Sequence, residues 1–207
     1  MPFVVGVFDV FTYAIPGALH LSVTAYVLAR LDIVDPGVPL SGPATLVVIG
    51  ALGASYALGH VMYPLSAVLE KLVPRWHRRE EEARDEFLSR VPRARDRAFV
   101  RADLPLLLAA AEQYNRETAG EVLRVRGLTL MLRGTALALS LATLTALAEL
   151  AAPDRRWFAA ACAVALAAGA VGAIREGRKF QHWARLKTLE LCFWIPDIDE
   201  RIAGPRP

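Results

Sequence analysis

Residues 44–69 read ATLVVIGALGASYALGHVMYPLSAVL and contain no Asp, Glu, Lys or Arg. An α-helix needs about 20 mostly apolar residues to cross the hydrocarbon core of a bilayer. Apolar stretches of similar length occur at Phe8–Ala29, Leu128–Leu150 and Trp157–Ile174. The sequence therefore predicts an all-α, polytopic membrane protein with four transmembrane helices and a helical cytoplasmic domain.

The composition agrees with this segmentation. Of the 207 residues, 55% are hydrophobic and 22% are charged, and the charges are clustered along the chain. Such clustering is typical of membrane spans combined with a water-exposed domain. The predicted segments are a first transmembrane hairpin (1–70), a charged helical cytoplasmic segment (71–127), a second transmembrane hairpin (128–174) and a basic amphipathic cytoplasmic tail (175–207).

Basic residues predict the orientation of the spans. Thirteen Lys and Arg residues lie from Lys71 to Arg126, and the tail after Ile174 is also basic. The first connection, residues 31–43, instead carries two aspartates and three prolines. Because cytoplasmic loops carry the excess of Lys and Arg, we expect a multi-pass membrane protein with both termini in the cytoplasm.

Several polar or aromatic residues fall at a similar depth in the predicted spans. They form a candidate polar layer of Asp9, Tyr13, His60, Tyr63 and Arg133. In one interpretation Asp9 pairs with Arg133, while His60 bonds to Tyr13 or to a water and lines a cavity open to the cytoplasm. In the other, Asp9 lies at the interface and Arg133 reaches the head groups along its own side chain. For His20, nearer mid-membrane, a separate hydrogen bond within the bundle is expected rather than a metal.

Small residues recur at three- and four-residue spacings in the second and fourth spans. This spacing lets helix backbones approach closely in a membrane. The predicted helix-packing or oligomer-interface residues are Gly50, Gly53, Ala57, Gly169 and Gly172. Packing within one chain and contact between copies in a homo-oligomer both remain open.

Prolines are expected to disturb the first two spans. Pro16 and Pro64 lie within the apolar stretches, and proline removes a backbone donor and clashes with the preceding turn. A kink or a broken helix is therefore expected at each.

The charged segment and the tail are expected to be helical. A helix from Trp76 to Leu88 should end before Pro92, and a second should begin after Asp103 as N-cap and continue through Val125 toward the third span. The tail has a basic amphipathic pattern that either lies on anionic lipid or packs on the cytoplasmic helices. Its candidate lipid-facing residues are Arg178, Lys179, Arg185 and Lys187.

Several functions are disfavoured by the residue patterns. Ten carboxylates interleave with the arginines between Glu80 and Glu121, which argues against nucleic-acid binding. No Gly-rich phosphate loop, HExxH or GxSxG motif occurs in the sequence. Cys162 and Cys192 lack metal-ligand spacing and are expected to be reduced. We therefore predict no catalytic residue, cofactor or metal, and we expect a non-enzymatic protein.

The stretch from Phe8 to Gly17, FDVFTYAIPG, resembles a recurrent opening of small bacterial membrane proteins, some of which occur with antiphage defence genes. The four-span plan is similar to that of the membrane subunit of the Kiwa defence system. That resemblance implies a non-enzymatic protein that senses events at the inner membrane and acts with a cytoplasmic partner. It carries over no functional residue.

These observations predict a homo-oligomeric inner-membrane sensor, scaffold or pore-forming effector in antiphage defence. The expected partners are anionic lipids, further copies of the chain and a cytoplasmic protein. The alternative is a small transporter or channel that uses the polar layer, and a membrane-embedded lipid-modifying enzyme is the third interpretation.

Overall fold

The computed structural model describes residues 7–35, 43–72, 79–152 and 156–203. Within these ranges the chain forms α-helices and short 3-10 helices and no β-strand. The α-helices are α1 (Val7–Arg30), α2 (Ala44–Leu72), α3 (Arg79–Arg90), α4 (Leu104–Tyr114), α5 (Arg116–Ala148), α6 (Arg156–Phe193) and α7 (Ile198–Ala203). The 3-10 helices are Pro92–Ala94, Ala98–Arg101 and Glu149–Ala151.

Four helices are long and apolar enough to cross a membrane. By length and composition these segments are Val10–Arg30, Ala44–Ser66, Arg116–Ala151 and Arg156–Phe193. The prediction of an all-helical chain with four helices of membrane-spanning length is therefore confirmed.

The chain divides into two compact units. The first, here called the span unit, consists of Met1–Leu72 and Leu130–Gly177. The second, here called the loop-tail unit, consists of Val73–Thr129 and Arg178–Pro207. Both boundaries in the second half of the chain fall inside helices, so α5 and α6 each contribute residues to both units.

The interior of the span unit is made of small and polar side chains. Large apolar side chains such as Phe11, Leu46 and Val61 are exposed at its surface. The buried residues of this unit, among those described, include Thr12, Ala14, His20, Ser55, Ser66, Ala136, Ala138, Ala159, Ala163 and Ala170. Little large apolar surface is therefore buried between these helices.

Two glycines allow α1 and α2 to pack backbone against backbone. A Cβ atom at Gly17 would overlap the carbonyl oxygen of Ser55, and one at Gly59 would overlap the carbonyl oxygen of Tyr13. Only glycine fits at these two positions without moving a helix.

Pro16 and Pro64 lie inside uninterrupted helices. The expectation of a broken helix at these positions is therefore wrong, and a kink stays a prediction. The Pro16 ring packs on α5, where a Cβ atom at Gly134 would come within 2.9 Å of the Pro16 Cβ. Neighbouring helices and local adjustments make proline tolerable in helices of this kind.

One ion pair joins two helix ends of the span unit. The Arg30 Nε at the end of α1 donates to Glu149 Oε1 at 2.8 Å. The end of α1 and the end of α5 therefore lie close together. Because both side chains are partly exposed, the pair contributes little stability, and its value is as a marker of helix placement.

The loop-tail unit has a conventional apolar core. Its large, fully buried side chains include Phe87 of α3, Phe99, Leu107 of α4, Leu189 of α6 and Ile198 of α7. The Phe87 ring packs edge-on against Phe99 at a centroid distance of 6.1 Å. Side chains from five separate segments therefore close one core.

The segment after Asp103 contains a helix boundary that the sequence analysis did not predict. Helix α4 ends at Tyr114 and α5 begins at Arg116, so the single helix expected through Val125 is wrong. Asn115 adopts an extended conformation with φ −145° and ψ 95°. Its Oδ1 accepts a hydrogen bond from the Thr118 backbone N–H at 3.2 Å, which makes it the N-cap of α5.

The tail packs on the other helices of the loop-tail unit, the second of the two expected arrangements. Its apolar residues Leu186, Leu189 and Cys192 are buried. Among the candidate lipid-facing residues, Lys179 and Lys187 are exposed. Arg178 and Arg185 are partly buried, so the four basic side chains do not share one exposed surface.

Candidate functional site

An aromatic cluster in the span unit joins α1 to one face of α2. The rings of Tyr13 and His60 are stacked, with centroids 3.9 Å apart and planes inclined by 29°. Tyr56 and Tyr63 each present an edge to Tyr13 at a centroid distance of 6.2 Å. The three α2 residues lie four and then three positions apart, which places them on the same helix face.

Arg133 of α5 extends this cluster. Its Nε donates a hydrogen bond to the Ser66 hydroxyl at 3.1 Å, and its guanidinium carbon lies 5.2 Å from the Tyr63 ring centroid. The Ser66 hydroxyl in turn donates to the Tyr63 carbonyl oxygen at 2.7 Å. A hydrogen bond and a cation-π contact therefore hold the guanidinium against α2.

The structure thus brings Tyr13, His60, Tyr63 and Arg133 of the candidate polar layer together. His60 Nδ1 bonds to the Tyr56 carbonyl oxygen at 3.2 Å, and its contact with Tyr13 is ring stacking. The alternative expectation, a water bound to His60, stays a prediction. The side chain of Asp9 lies outside the described side chains, and its pairing with Arg133 stays a prediction.

A small cavity lies beside this cluster. Its volume is about 10 Å³. His60 is not among the lining residues of this cavity, and the expectation that His60 lines a cavity open to the cytoplasm stays a prediction. The cavity is lined by Thr12, Tyr13, Pro16, His20, Gly59, Met62, Tyr63, Ser66, Leu130 and Gly134.

His20 is the histidine that lines this cavity. It is 2% exposed, and the backbone of Gly134 lies near its ring. Its Nε2 is buried and has no hydrogen-bond partner among the described residues. The expected hydrogen bond of His20 within the bundle stays a prediction, and depth alone could not show that His20 and Tyr13 share a cavity.

The predicted small-residue faces are mostly open within one chain. A Cβ atom added at Gly50, Gly53 or Gly172 would meet nothing within 4 Å. At Gly169 it would lie 3.2 Å from Leu139 Cδ1, so this glycine does face another helix of the same chain. Ala57 is exposed. Close packing inside the chain uses Gly17 and Gly59 instead.

The loop-tail unit contains a larger groove between α5 and α6. Its volume is about 260 Å³. Trp183 and Trp194 line it and are 51% and 73% exposed. Lys187 Nζ lies 5.9 Å from the Trp183 ring centroid and donates to Glu190 Oε2 at 2.7 Å. The remaining lining residues are Thr118, Glu121, Val122, Val125, Ala184 and Leu191.

A charged network connects α3 to α6 in the same unit. His182 Nε2 lies 2.6 Å from Glu86 Oε2, and Arg90 contacts both Glu86 and Glu190. The hydrogen bond from His182, together with the charge of Arg90, holds the pKa of Glu86 below its ordinary value. The network therefore favours the ionised form of Glu86.

No group of three or more His, Cys, Asp or Glu side chains placed to hold a metal ion occurs in the described part of the chain. Comparison with protein-family models, with curated proteins and with solved structures finds no match. Functional inference therefore depends on the residues and geometry of this chain.

Proposed function

We propose that the protein is a non-enzymatic, homo-oligomeric protein of the bacterial inner membrane that acts as a sensor, scaffold or pore-forming effector. Exposed large apolar side chains around a small-residue interior support insertion of the span unit in lipid. The Arg30–Glu149 pair supports placing the first and last connections on one side. The proposed antiphage role rests on the resemblance carried by residues 8–17.

The proposed oligomer rests on one observation. Helix α2 has two faces of small residues, and one of them packs against another helix of the same chain. Ser55 and Gly59 pack against α1, whereas Gly50 and Gly53 face open space. A glycine in the middle of a helix costs about 0.5–1 kcal/mol relative to alanine. A second helix that approaches closely would offset that cost, and a second copy of the chain supplies one.

Replacing Gly53 with leucine tests this interface. We expect the substitution to lower the assembly state while membrane insertion stays intact, because the added bulk separates the helix backbones. Native mass spectrometry in mild detergents and in nanodiscs measures the stoichiometry. Gly120→Leu is the matched control, since Gly120 is equally open but belongs to the loop-tail unit.

A wild-type protein that is monomeric in several mild detergents and in nanodiscs would overturn the proposed oligomer. Equal loss of assembly in Gly53→Leu and Gly120→Leu would assign the effect to a general change in the protein rather than to the α2 face.

The groove in the loop-tail unit is the surface we propose for a cytoplasmic protein partner. Exposed tryptophans are enriched among residues that dominate binding energy at protein interfaces. A partner segment with apolar side chains fits between Trp183 and Trp194. Photo-crosslinking from position 191 in cells, with position 157 in the span unit as control, tests whether a protein occupies the groove.

A small transporter or channel is the second candidate function. It is favoured by the partly buried guanidinium of Arg133 and the adjacent cavity with His20. Polar groups at membrane depth often line substrate or ion pathways. Flux into sealed liposomes separates the two candidates: a transporter gives substrate-dependent flux without a partner, whereas a sensor or effector acts only with its partner or trigger.

A further inference from the structure

The groove between α5 and α6 follows one face of each helix. On α5 its lining runs from Thr118 to Val125, and on α6 from Trp183 to Trp194, with contributions every third or fourth residue. Side chains at these spacings lie on the same helix face. The α6 face extends for about three turns, or roughly 16 Å at 1.5 Å per residue. The groove is therefore a channel between two helices of the loop-tail unit.

The groove is apolar at its floor and aromatic at its two ends. Val122 and Ala184 line it and are only 3% and 4% exposed, so they form its floor. Trp183 and Trp194 lie at the two ends of the α6 face and are mostly exposed. Removal of such surface from water favours binding. Apolar side chains are therefore the groups that fit this groove.

The backbone of the occupant has to satisfy its own hydrogen bonds. The described residues form no β-strand, so they present no strand edge that could pair with an extended segment. A helix satisfies its backbone groups internally and presents anchors at i, i+3, i+4 and i+7. That spacing matches the two lining faces, which favours a helical occupant.

One charge in the groove lacks a counter-charge. Lys187 Nζ donates to Glu190 Oε2 at 2.7 Å, and Arg90 donates to the other oxygen of Glu190 at 3.4 Å. Glu121 is exposed and forms no ion pair within the described part of the chain. Arg124, one turn further along α5, does not line the groove. A basic side chain of the occupant is therefore the complement of the Glu121 carboxylate.

We propose that the groove binds an amphipathic helix of a partner protein, with its apolar face between Trp183 and Trp194 and a Lys or Arg beside Glu121. The proposal rests on the proposed function, in which a cytoplasmic protein occupies this groove, and it specifies the chemistry of that protein.

Peptide selection against the full-length protein in nanodiscs of zwitterionic lipid tests what the groove binds. The probe is a phage-displayed library of random peptides of about four helical turns. Peptides that also bind the Trp183→Ala/Trp194→Ala double variant are discarded, which removes binding to lipid and to other surfaces. Both tryptophans are exposed, so the double variant should keep its fold. The expected peptides have apolar residues at helical spacing and a recurrent Lys or Arg.

Charge reversal at Glu121 tests the basic residue. The selected peptides should bind Glu121→Lys about fivefold more weakly than wild type, because repulsion replaces an exposed ion pair. A fresh selection against Glu121→Lys should enrich Asp or Glu at the same peptide position. Glu112→Lys is the matched control, since Glu112 is also exposed but does not line the groove. Its affinity for the peptides should equal that of wild type.

Failure to find any peptide that distinguishes wild type from the double variant would overturn the proposal, and is the result expected for a groove that lies on the bilayer. Selected peptides without helical spacing, or with equal affinity for Glu121→Lys, would overturn it as well. Loss of the wild-type assembly state in the double variant, measured by native mass spectrometry, would assign the groove to a second copy of the chain.

Photo-crosslinking from position 191 separates this proposal from the one on which it rests. If no protein cross-links in cells while the selection returns basic amphipathic helices, the cytoplasmic partner is wrong and the preference of the groove stands. If a protein cross-links through a segment that lacks the apolar repeat and the basic residue, the partner stands and the amphipathic helix is wrong.

Discussion

The span unit and the loop-tail unit are built from the same chain but have opposite interiors. The span unit buries alanine, serine, threonine and histidine and exposes Phe11, Leu52 and Leu144. The loop-tail unit buries Phe87 and Phe99 completely. Its surface carries charged side chains, including those of the Glu86 network.

This difference follows from the surroundings that each interior suits. In water, removal of apolar surface from solvent is the dominant favourable contribution to folding. In lipid that contribution is missing between helices, so close backbone packing and hydrogen bonds take its place. The contrast makes measurable predictions, because the same type of substitution should have different effects in the two units.

Phe87→Ala should have the largest effect. Phe87 is fully buried and contacts the rings of Phe99 and Phe193, so its loss should lower the free energy of unfolding by about 3–5 kcal/mol. Hydrogen exchange of α3 and α4 measures the loss. Phe11→Ala is the control, since Phe11 is 54% exposed on the span unit. Similar losses from both substitutions would contradict the contrast between the units.

Gly17→Ala should be the next largest. One added methyl group meets the Ser55 carbonyl oxygen, and overpacking of this kind costs roughly 1–3 kcal/mol. Gly120→Ala, in the loop-tail unit, places the same methyl in open space and should raise helix stability by about 0.5–1 kcal/mol. Thermal unfolding in detergent measures both, and shifts of the same sign would count against backbone packing between α1 and α2.

Asn115→Ala should cost about 0.5–2 kcal/mol, because it removes the side-chain acceptor at the start of α5. The effect should appear as faster amide exchange at Thr118. Asn115→Ser keeps a capping oxygen and should restore most of the protection. If Asn115→Ser and Asn115→Ala raise the amide exchange rate at Thr118 equally, loss of the capping oxygen is not the cause.

Glu86→Gln should have the smallest effect, and that effect should depend on pH. Because the folded-state pKa of Glu86 is lowered, its contribution to stability is present above the unfolded value of about 4.3 and is lost as pH falls through the folded pKa. The difference in melting temperature between wild type and variant should therefore shrink as the pH falls from about 6 to about 3, because the Glu86 carboxylate becomes protonated over roughly this range. Glu112→Gln is the exposed control, and an equal pH dependence there would remove Glu86 as the source.

Helix number and length could be predicted from the sequence because apolar runs without charge are a local property. The break at Asn115 could have been found, since asparagine followed by Glu117 in the first turn is an N-terminal signal. It was missed because the apolar pattern continues on both sides. Whether Pro16 and Pro64 break a helix could not be predicted, because the cost of a proline depends on neighbouring helices that the sequence does not show.

The depth of the polar residues along the spans could be predicted from the sequence, but the direction in which each helix face points could not. Counting residues along each span places Tyr13, His60 and Arg133 at one level, and the structure does bring them together. Their partners Ser66 and Tyr56 depend on how α2 is rotated about its axis. The same limit applies to the small residues of α2. Gly53 and Gly59 both belong to its row of small residues, and only the position of α1 shows that Gly59 packs within the chain while Gly53 does not.

The core of the loop-tail unit also has a consequence for the order of synthesis. Phe87 and Phe99 leave the ribosome long before Leu189 and Ile198, because residues 130–177 are translated in between. Asp199, which accepts the Phe99 backbone N–H at 2.9 Å, comes later still. Translation must therefore deliver residues 130–177 before this core can close, and any product that stops short of Ile198 carries uncovered aromatic rings for chaperones and proteases to recognise.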